Sequence, residues 1–547
     1  MSNHGTNVDE FFKNYEPEIK KVKYDERGKV NGENSTKDEI LLALEADDSE
    51  LVTIDDSDVR KMFLLVEKNF LKNQGLRIKH INEPLKFLDS EVELNTSIQE
   101  LNCLVTETHL YPTIVEVKGT ETLIQLMTHE NIDIVITVIF LLQELTPNSE
   151  EACEDEKSVS ILLNSLIENK LIEALVKQGL ERLDEEKEEE SEAINNILTI
   201  VENLLSFNPT YSLNFVNEGL FLWILQKVTK KGENNNNIFY MAQLLAQLLQ
   251  ISSEARMAIT DNYNGIEALL VKLSTYRKRD PVGSDELEFM ENLFDCLCAS
   301  FLYPPNRTTF VNDEGLQLMN LMLREKKLCR QSALKVLAHA TTSEDGKYVC
   351  ENYIKACGLS TLLNLFMRTP SKKKRKDTNA EEHEEFVTSI LDALLRYTSN
   401  EERSKIFERF NENNCEKIDR CIELFTKYQE KINKYDEKRK KVLAKLGSDK
   451  VIEDQEQLNS KRLDQGLFTL QQVTLILTDV CAYGSKECSR RVSKLFQMRF
   501  KNKKISQRLV PILEEYSEML GEGSETERLR INQIVSRLSK VEKEIDI

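Results

Sequence analysis

Proline and glycine are scarce in this chain, 10 and 18 residues in 547. Sandwiches, barrels and other folds built on many tight turns need more of both, which sets those classes aside. Tryptophan occurs once, as Trp223. No apolar run approaches the ~20 residues that span a bilayer; the longest, Ile134–Leu142, is less than half of that. The opening MSNHGTNVDEFFKNYEP lacks the apolar stretch of a secretory signal, so a soluble, intracellular protein is expected.

Chemistry-bearing patterns are missing as well. The six histidines are scattered, with no HExxH pair, no P-loop and no GxGxxG. Acidic residues are so numerous that carboxylate pairs arise at every spacing by chance. The eleven cysteines show no ligand spacing. Cys296 and Cys298, two apart on a helix, point to different faces. Cys329, Cys350, Cys357, Cys415, Cys421 and Cys481 sit singly among apolar neighbours, as buried thiols of a reducing compartment do. No catalytic residue, metal ligand or cofactor site is expected, and the chain does not read as an enzyme.

Charge is plentiful but lopsided: 93 acidic against 73 basic residues, a net −20 at pH 7. That balance disfavours general binding to phosphate backbones, so direct, specific nucleic-acid binding is not expected; basic partners suit it better. One hydrophobic core rarely serves more than about 250–300 residues, so this length implies several domains or an extended repeat.

The segment Asn306–Ala340, NRTTFVNDEGLQLMNLMLREKKLCRQSALKVLAHA, decides between the two. It reads as three helices of rising length: a first turn capped by Asn306, a second helix after Gly315, and a third through Leu334, Val336 and Leu337. None has an apolar stripe wide enough to bury alone, so the unit must stack on similar ones. The pattern recurs at Gly119, Leu171, Gly219, Gly265, Gly315 and Gly358. The intervals of 43 to 52 residues match two- and three-helix solenoids of about 40–47 residues carrying short insertions. An apolar pair precedes most of these positions, such as Phe215-Val216 and Phe310-Val311. A long third helix follows each, as in ELEFMENLFDCLCASFL. The glycine is expected to take φ > 0 at the corner between short and long helices.

This unit resembles the armadillo repeat. The expected fold is all-α: a right-handed armadillo-type α-solenoid with irregular helical N- and C-terminal caps. Residues 1–55 read as a disordered arm, 56–104 as an N-terminal helical cap, 105–400 as about six repeats, and 401–547 as a C-terminal helical region and cap. In the last part, Glu416 to about Lys445 reads as a long charged helix that projects or braces the stack.

Two charge features remain. Lys372, Lys373, Lys374, Arg375 and Lys376 are consecutive in a loop bounded by Pro370 and Asn379, a candidate nuclear localisation signal. The third helices supply polar positions for a binding groove, where import receptors carry a Trp and Asn ladder. Here that ladder is replaced by residues such as Phe140, Thr199, Gln243, Lys335 and His339, and Trp223 lies on a second helix. A basic segment bound in the groove would have to be held by Glu144, Glu202, Asn203, Gln247, Glu291 and Asp295.

Several stretches sharpen the resemblance: KNQGLRIK at Lys72–Lys79, NEPLKFLDSEVELN at Asn82–Asn95, ENLFDCLC at Glu291–Cys298, EGLQLMNLMLREKK at Glu314–Lys327 and RLDQGLFTLQ at Arg462–Gln471. After about residue 55 the chain is similar to the beta-catenin-like protein 1 family. That resemblance implies a nuclear, non-enzymatic scaffold in pre-mRNA splicing, attached to the nineteen complex. It further implies binding to basic nuclear-localisation-type segments of splicing factors, and self-association into a homodimer. The alternative is a cytoplasmic or adhesion-linked armadillo signalling adaptor.

Overall fold

Helices follow one another from Asp56 onward, and among the described residues there is no strand. The computed structural model describes residues 54–148, 155–232, 235–370, 379–446, 455–500, 504–521 and 523–545. The expected N-terminal arm, apart from its last two residues, and the Lys372–Lys376 run lie outside them.

Two helices open the stack, α1 (Asp56–Lys79) and α2 (Leu88–Glu100), with Pro84 starting a short 3-10 turn between them. Six three-helix units come next. The first is α3 (Tyr111–Glu116), α4 (Gly119–Leu126) and α5 (Ile132–Glu144). The second is α6 (Glu156–Glu168), α7 (Leu171–Ala174, continued by one π-helical stretch) and α8 (Glu188–Phe207). The third is α9 (Ser212–Asn217), α10 (Leu220–Thr229) and α11 (Asn236–Ile251). The fourth is α12 (Ser253–Asp261), α13 (Gly265–Ser274) and α14 (Gly283–Ser300). The fifth is α15 (Pro304–Asn312), α16 (Gly315–Arg324) and α17 (Cys329–Thr341). The sixth is α18 (Lys347–Lys355), α19 (Gly358–Phe366) and α20 (Ala380–Tyr397). The chain closes with α21 (Asn400–Asn411), α22 (Glu416–Leu446), α23 (Gln455–Asp464), α24 (Leu467–Tyr483), α25 (Lys486–Arg499), α26 (Ser506–Met519) and α27 (Glu525–Ile545).

Equivalent helices stack on one another. The third-helix ladder runs α2, α5, α8, α11, α14, α17, α20 and then α24, each packed on the next. Second helices α10, α13, α16 and α19 form a parallel ladder, as do first helices α9, α12, α15 and α18. The reason is visible in α14, whose Phe289, Met290, Leu293, Phe294 and Leu297 are all buried. A single unit would leave such side chains in water at about 1.5–3 kcal/mol each, so stability comes from neighbours.

Two sequence expectations change here. Asn306 does not cap α15; it lies inside the helix, fully buried. Its Nδ2 donates to Ser300 O (2.9 Å) and Arg256 O (2.7 Å), and its Oδ1 accepts from Thr260 (2.6 Å). Asn306 thus adds a second donor to the Ser300 carbonyl at the end of α14, which also accepts from Tyr303 N–H (3.1 Å), and ties adjacent first helices together. The corner glycines also work differently from expectation. At three corners the left-handed residue is the one before glycine: Lys118 (φ 60°), Glu314 (φ 61°) and Cys357 (φ 58°). Gly119, Gly315 and Gly358 are needed for space, because a Cβ there would lie 2.3–2.8 Å from Ile114, Phe310 or Tyr353. Only at Gly219 (φ 91°) does the glycine itself carry the positive φ.

The N-terminal end is pinned by His129. Its Nδ1 accepts from the Asn131 N–H (3.0 Å), so its Nε2–H donates to Asn73 Oδ1 of α1 (3.0 Å). Asn73 in turn donates to Ser90 of α2 (2.9 Å). Burial, and then the Arg77 guanidinium, push this imidazole from 6.5 down to about 4. The unfolded chain therefore takes up this proton before the folded one does, and the stabilisation present above pH 6.5 is lost as pH falls towards 4. Between pH 7 and pH 5 the loss is about 2 kcal/mol. Urea midpoints at the two pH values should show it, and His129→Gln should flatten the difference; an unchanged pH dependence in that variant would refute the assignment.

The C-terminal region is built round α24, on which α20, α22, α25, α26 and α27 all pack. Fifteen of its residues are buried, polar ones such as Thr474 and Asp479 included, so the helix is covered on every side. The long α22 braces the stack through one carboxylate. Buried Glu384 of α20 accepts from Lys427 (2.6 Å), Tyr428 (2.8 Å) and Arg420 (3.2 Å) of α22, and from Thr369 (2.7 Å).

Candidate partner-binding groove

The six residues expected to line a groove lie on four successive third helices: Glu144 on α5, Glu202 and Asn203 on α8, Gln247 on α11, and Glu291 and Asp295 on α14. They do not behave alike. Asn203 is committed to the scaffold, its Nδ2 donating to Thr146 O at the end of α5 (2.7 Å). Glu202 accepts a hydrogen bond from the Tyr240 hydroxyl of α11, and Asp295 pairs with Lys335 of α17 at 2.6 Å. Glu144 and Gln247 are half-buried, and Glu291 is exposed.

Glu291 is the one that stands in a field of its own sign. Partial burial and then Asp295 raise its carboxyl, with Lys335 opposing and Glu288 and Glu382 adding to the rise. Glu385 on α20 is raised too, by burial and then Glu382. Carboxylates from α14 and α20 thus converge across α17, and among the described residues Lys335 is the cation that opposes them at Glu291, which leaves this cluster net negative. Such a cluster attracts cations and is relieved by binding one.

Beside this cluster is a cavity of about 270 Å³ between α8, α11 and α14. Asp285 and Glu288 supply its charge, Phe239 and Tyr240 its aromatic walls, and Asn195 and Gln243 amide groups. Carboxylates, aromatic faces and amide oxygens together suit the aliphatic stem and charged head of a lysine or arginine side chain. The expected list missed Asp285, Glu288, Phe239 and Tyr240. The signal was present: Asp285, Glu288, Glu291 and Asp295 follow at three- and four-residue steps, which place them along one side of α14. The ladder position on α17 holds Lys335 and exposed His339, and Trp223 sits on second helix α10 with Lys227 5.0 Å from its ring.

A stack of three-helix units with a polar, acid-rich third-helix face is an armadillo-type repeat protein, a scaffold architecture that works by holding other proteins. The chain belongs to the family described as catenin-beta-like, Arm-motif containing, nuclear, whose match spans residues 38–511. It is 40% identical over 479 residues to "Beta-catenin-like protein 1" of Bos taurus, covering 87% of this chain and 84% of that protein. Identity to "Beta-catenin-like protein 1" of Homo sapiens is 39% over 477 residues, covering 87% and 84%. The "Beta-catenin-like protein 1 homolog" of Schizosaccharomyces pombe is 30% identical over 494 residues, covering 88% and 83%. None of these names is an enzyme's, and the family resemblance read from the sequence is borne out. Among the described residues no helix is long and apolar enough to cross a membrane.

Proposed function

We propose that this protein is a non-catalytic nuclear scaffold of pre-mRNA splicing, associated with the nineteen complex, that holds basic segments of splicing factors on its third-helix face. The observation that carries the reading is the net-negative cluster of Glu288, Glu291, Asp295 and Glu382 beside the cavity of Asp285, Phe239 and Tyr240. A segment with lysines or arginines every few residues would set one cation in the cavity and another against Glu291. Asp295, released from Lys335, would take a third. The family's description as nuclear and the absence of an enzyme's name among its relatives agree with this role.

A direct test uses a fluorescent peptide of nuclear-localisation type titrated into the full chain. Glu288→Lys with Glu291→Lys is expected to weaken binding at least tenfold, about 1.4 kcal/mol. Affinity should also begin to fall on acidification sooner than an ordinary carboxylate would allow, because burial and then Asp295 raise the Glu291 carboxyl. Wild-type affinity in the double variant would remove this face from the reading. Recovery of adhesion or cytoplasmic signalling proteins, and no splicing factors, from nuclear and cytoplasmic extracts would favour the signalling-adaptor alternative.

A further inference from the structure

Not every cysteine sits singly. Cys415 ends the short turn between α21 and α22, and Cys488 lies in the first turn of α25, with their Sγ atoms 3.7 Å apart. Both thiols face Asn411 Oδ1, at 3.9 Å and 3.8 Å. That same oxygen accepts a 2.8 Å hydrogen bond from Ser485, the N-cap of α25. The local backbone is unusual. Asn413, Asn414 and Cys415 have φ of 51°, 55° and 63°, three left-handed residues in a row with no glycine among them. Asparagine tolerates this region; cysteine does so poorly. The fold holds Cys415 there against its preference, and the result is a thiol aimed at Cys488. The pair is buried, yet Asn413, Asn414 and Glu487 beside it are exposed, so solvent is one residue away.

We propose that Cys415 and Cys488 form a reversible intramolecular disulfide, with a hydroperoxide as oxidant. One thiol attacks the peroxide O–O bond, becoming a sulfenic acid and releasing one water. The second thiol then displaces the sulfenic oxygen as a second water, and the S–S bond forms. Two thiols lose two electrons and two protons, and hydrogen peroxide is reduced to two waters. A dithiol reductant reverses the step. Burial, then the neighbouring Cys488, push the Cys415 thiol up to about 11, so closure should be slow near neutrality and faster as pH rises.

The bond would join the α21–α22 corner to the start of α25, next to the bidentate pair in which Arg491 donates to Asp419 at 2.7 and 2.9 Å. The chain loop it closes contains α22, α23 and α24, the helix at the centre of the C-terminal region. Closing a loop of that length restricts the unfolded chain, so the oxidised cap resists unfolding more than the reduced one. Exposed Cys103 and Cys357 are also open to peroxide, but among the described residues neither has a second thiol in contact. The linkage, rather than the rate, identifies the site.

The experiment treats the full chain with hydrogen peroxide at pH 7 and pH 8.5, quenches free thiols, and maps peptides without reduction. A Cys415–Cys488 cross-linked peptide is expected, forming faster at pH 8.5 and lost after dithiothreitol. The unfolding temperature of the oxidised protein should rise by a few degrees, and the rise should be absent in Cys415→Ala and Cys488→Ala. Because both side chains are buried, Cys415→Ser and Cys488→Ser serve as second variants, with folding checked by circular dichroism. Linkage of Cys488 to Cys481 or Cys421 instead, sulfinic acid without linkage, or a cross-link only in heat-unfolded protein would overturn the proposal.

Discussion

Replacing Asp479 by alanine is expected to cost about 3–5 kcal/mol and to loosen the C-terminal cap before the repeats unfold. Asp479 is fully buried in the middle of α24. Its Oδ1 accepts from Arg403 of α21 (2.6 Å) and its Oδ2 from Arg530 of α27 (2.5 Å). Arg530 also pairs with Glu527 (3.2 Å), which pairs with Arg396 of α20 (2.6 Å). One charge deletion therefore removes a counter-charge from two largely buried guanidiniums and breaks the ionic link between three helices, α21, α24 and α27. The remaining contacts of Arg403, to the rings of Tyr483 and Phe407, cannot replace a desolvated carboxylate. Hydrogen exchange should localise the damage to α24 and α27, while the third-helix ladder up to α17 keeps its protection. A loss below about 1 kcal/mol would mean that the cluster is ornamental to stability.

Asp392 of α20 belongs to the same cluster and should respond in the opposite sense. Its nearest cation, Arg530, is 3.7 Å away, and its Oδ1 has no hydrogen bond. Burial pushes its carboxyl from 3.8 up to about 6, with Arg530 opposing and Asp479 and Glu527 adding to the rise. The folded state thus disfavours the ionised form. Asp392 contributes no penalty below pH 3.8 and a full one above about pH 6, so its effect on stability worsens as pH rises. Asp392→Asn is accordingly expected to be neutral or stabilising at pH 7, by up to about 3 kcal/mol. The contrast between Asp392 and Asp479 separates a paired carboxylate from an underpaired one within a single network.

The period of the fold was legible because each repeat carries its own copy of the signal. Phe310 before Gly315, Leu316 and Met319 after it, and Leu334 and Leu337 in the third helix suffice to define a unit, and the stacking of six such units then follows from unburied apolar faces. The ionic cluster was legible only as a demand. Asp479 is the single charged residue between Asp464 and Lys486, so its helix had to bury it and find it partners. Which partners it finds depends on α21 and α27 meeting α24, and no local pattern encodes that meeting. The groove was intermediate. Glu291 and Asp295 were found from their helix, but the engagement of Asn203 with Thr146, of Glu202 with Tyr240 and of Asp295 with Lys335 required the neighbouring helices to be in place. Cys415 and Cys488 were unreadable as a pair for the same reason.

Gly315→Asn is expected to destabilise the central repeats by about 3 kcal/mol or more, whereas Gly219→Asn should cost under about 1 kcal/mol. The two glycines occupy the same corner in different units, yet they answer to different constraints. At Gly315 a Cβ would lie 2.3 Å from Phe310 Cδ2 and 2.6 Å from Phe310 O. The ring cannot swing away, since Phe310 is fully buried and packs edge-on against Phe301 with centroids 5.0 Å apart. Either α15 and α16 must separate or the Phe301–Phe310 contact must break. Because each unit is stabilised by its neighbours, that strain passes to α14 and α17 and so to the acidic face they carry. Gly315 is the first helical residue of α16, after the N-cap Glu314, and needs no left-handed φ, so there the clash rather than the backbone conformation decides. At Gly219 nothing lies within 4 Å of the added Cβ, and the φ of 91° belongs to the left-handed half of backbone space that asparagine visits more readily than other residues. Denaturant midpoints of the two variants measure the difference directly. Equal losses, or a larger loss at Gly219, would mean that backbone conformation rather than close approach selects glycine at these corners. In that case the left-handed Lys118, Glu314 and Cys357 would have to be explained another way.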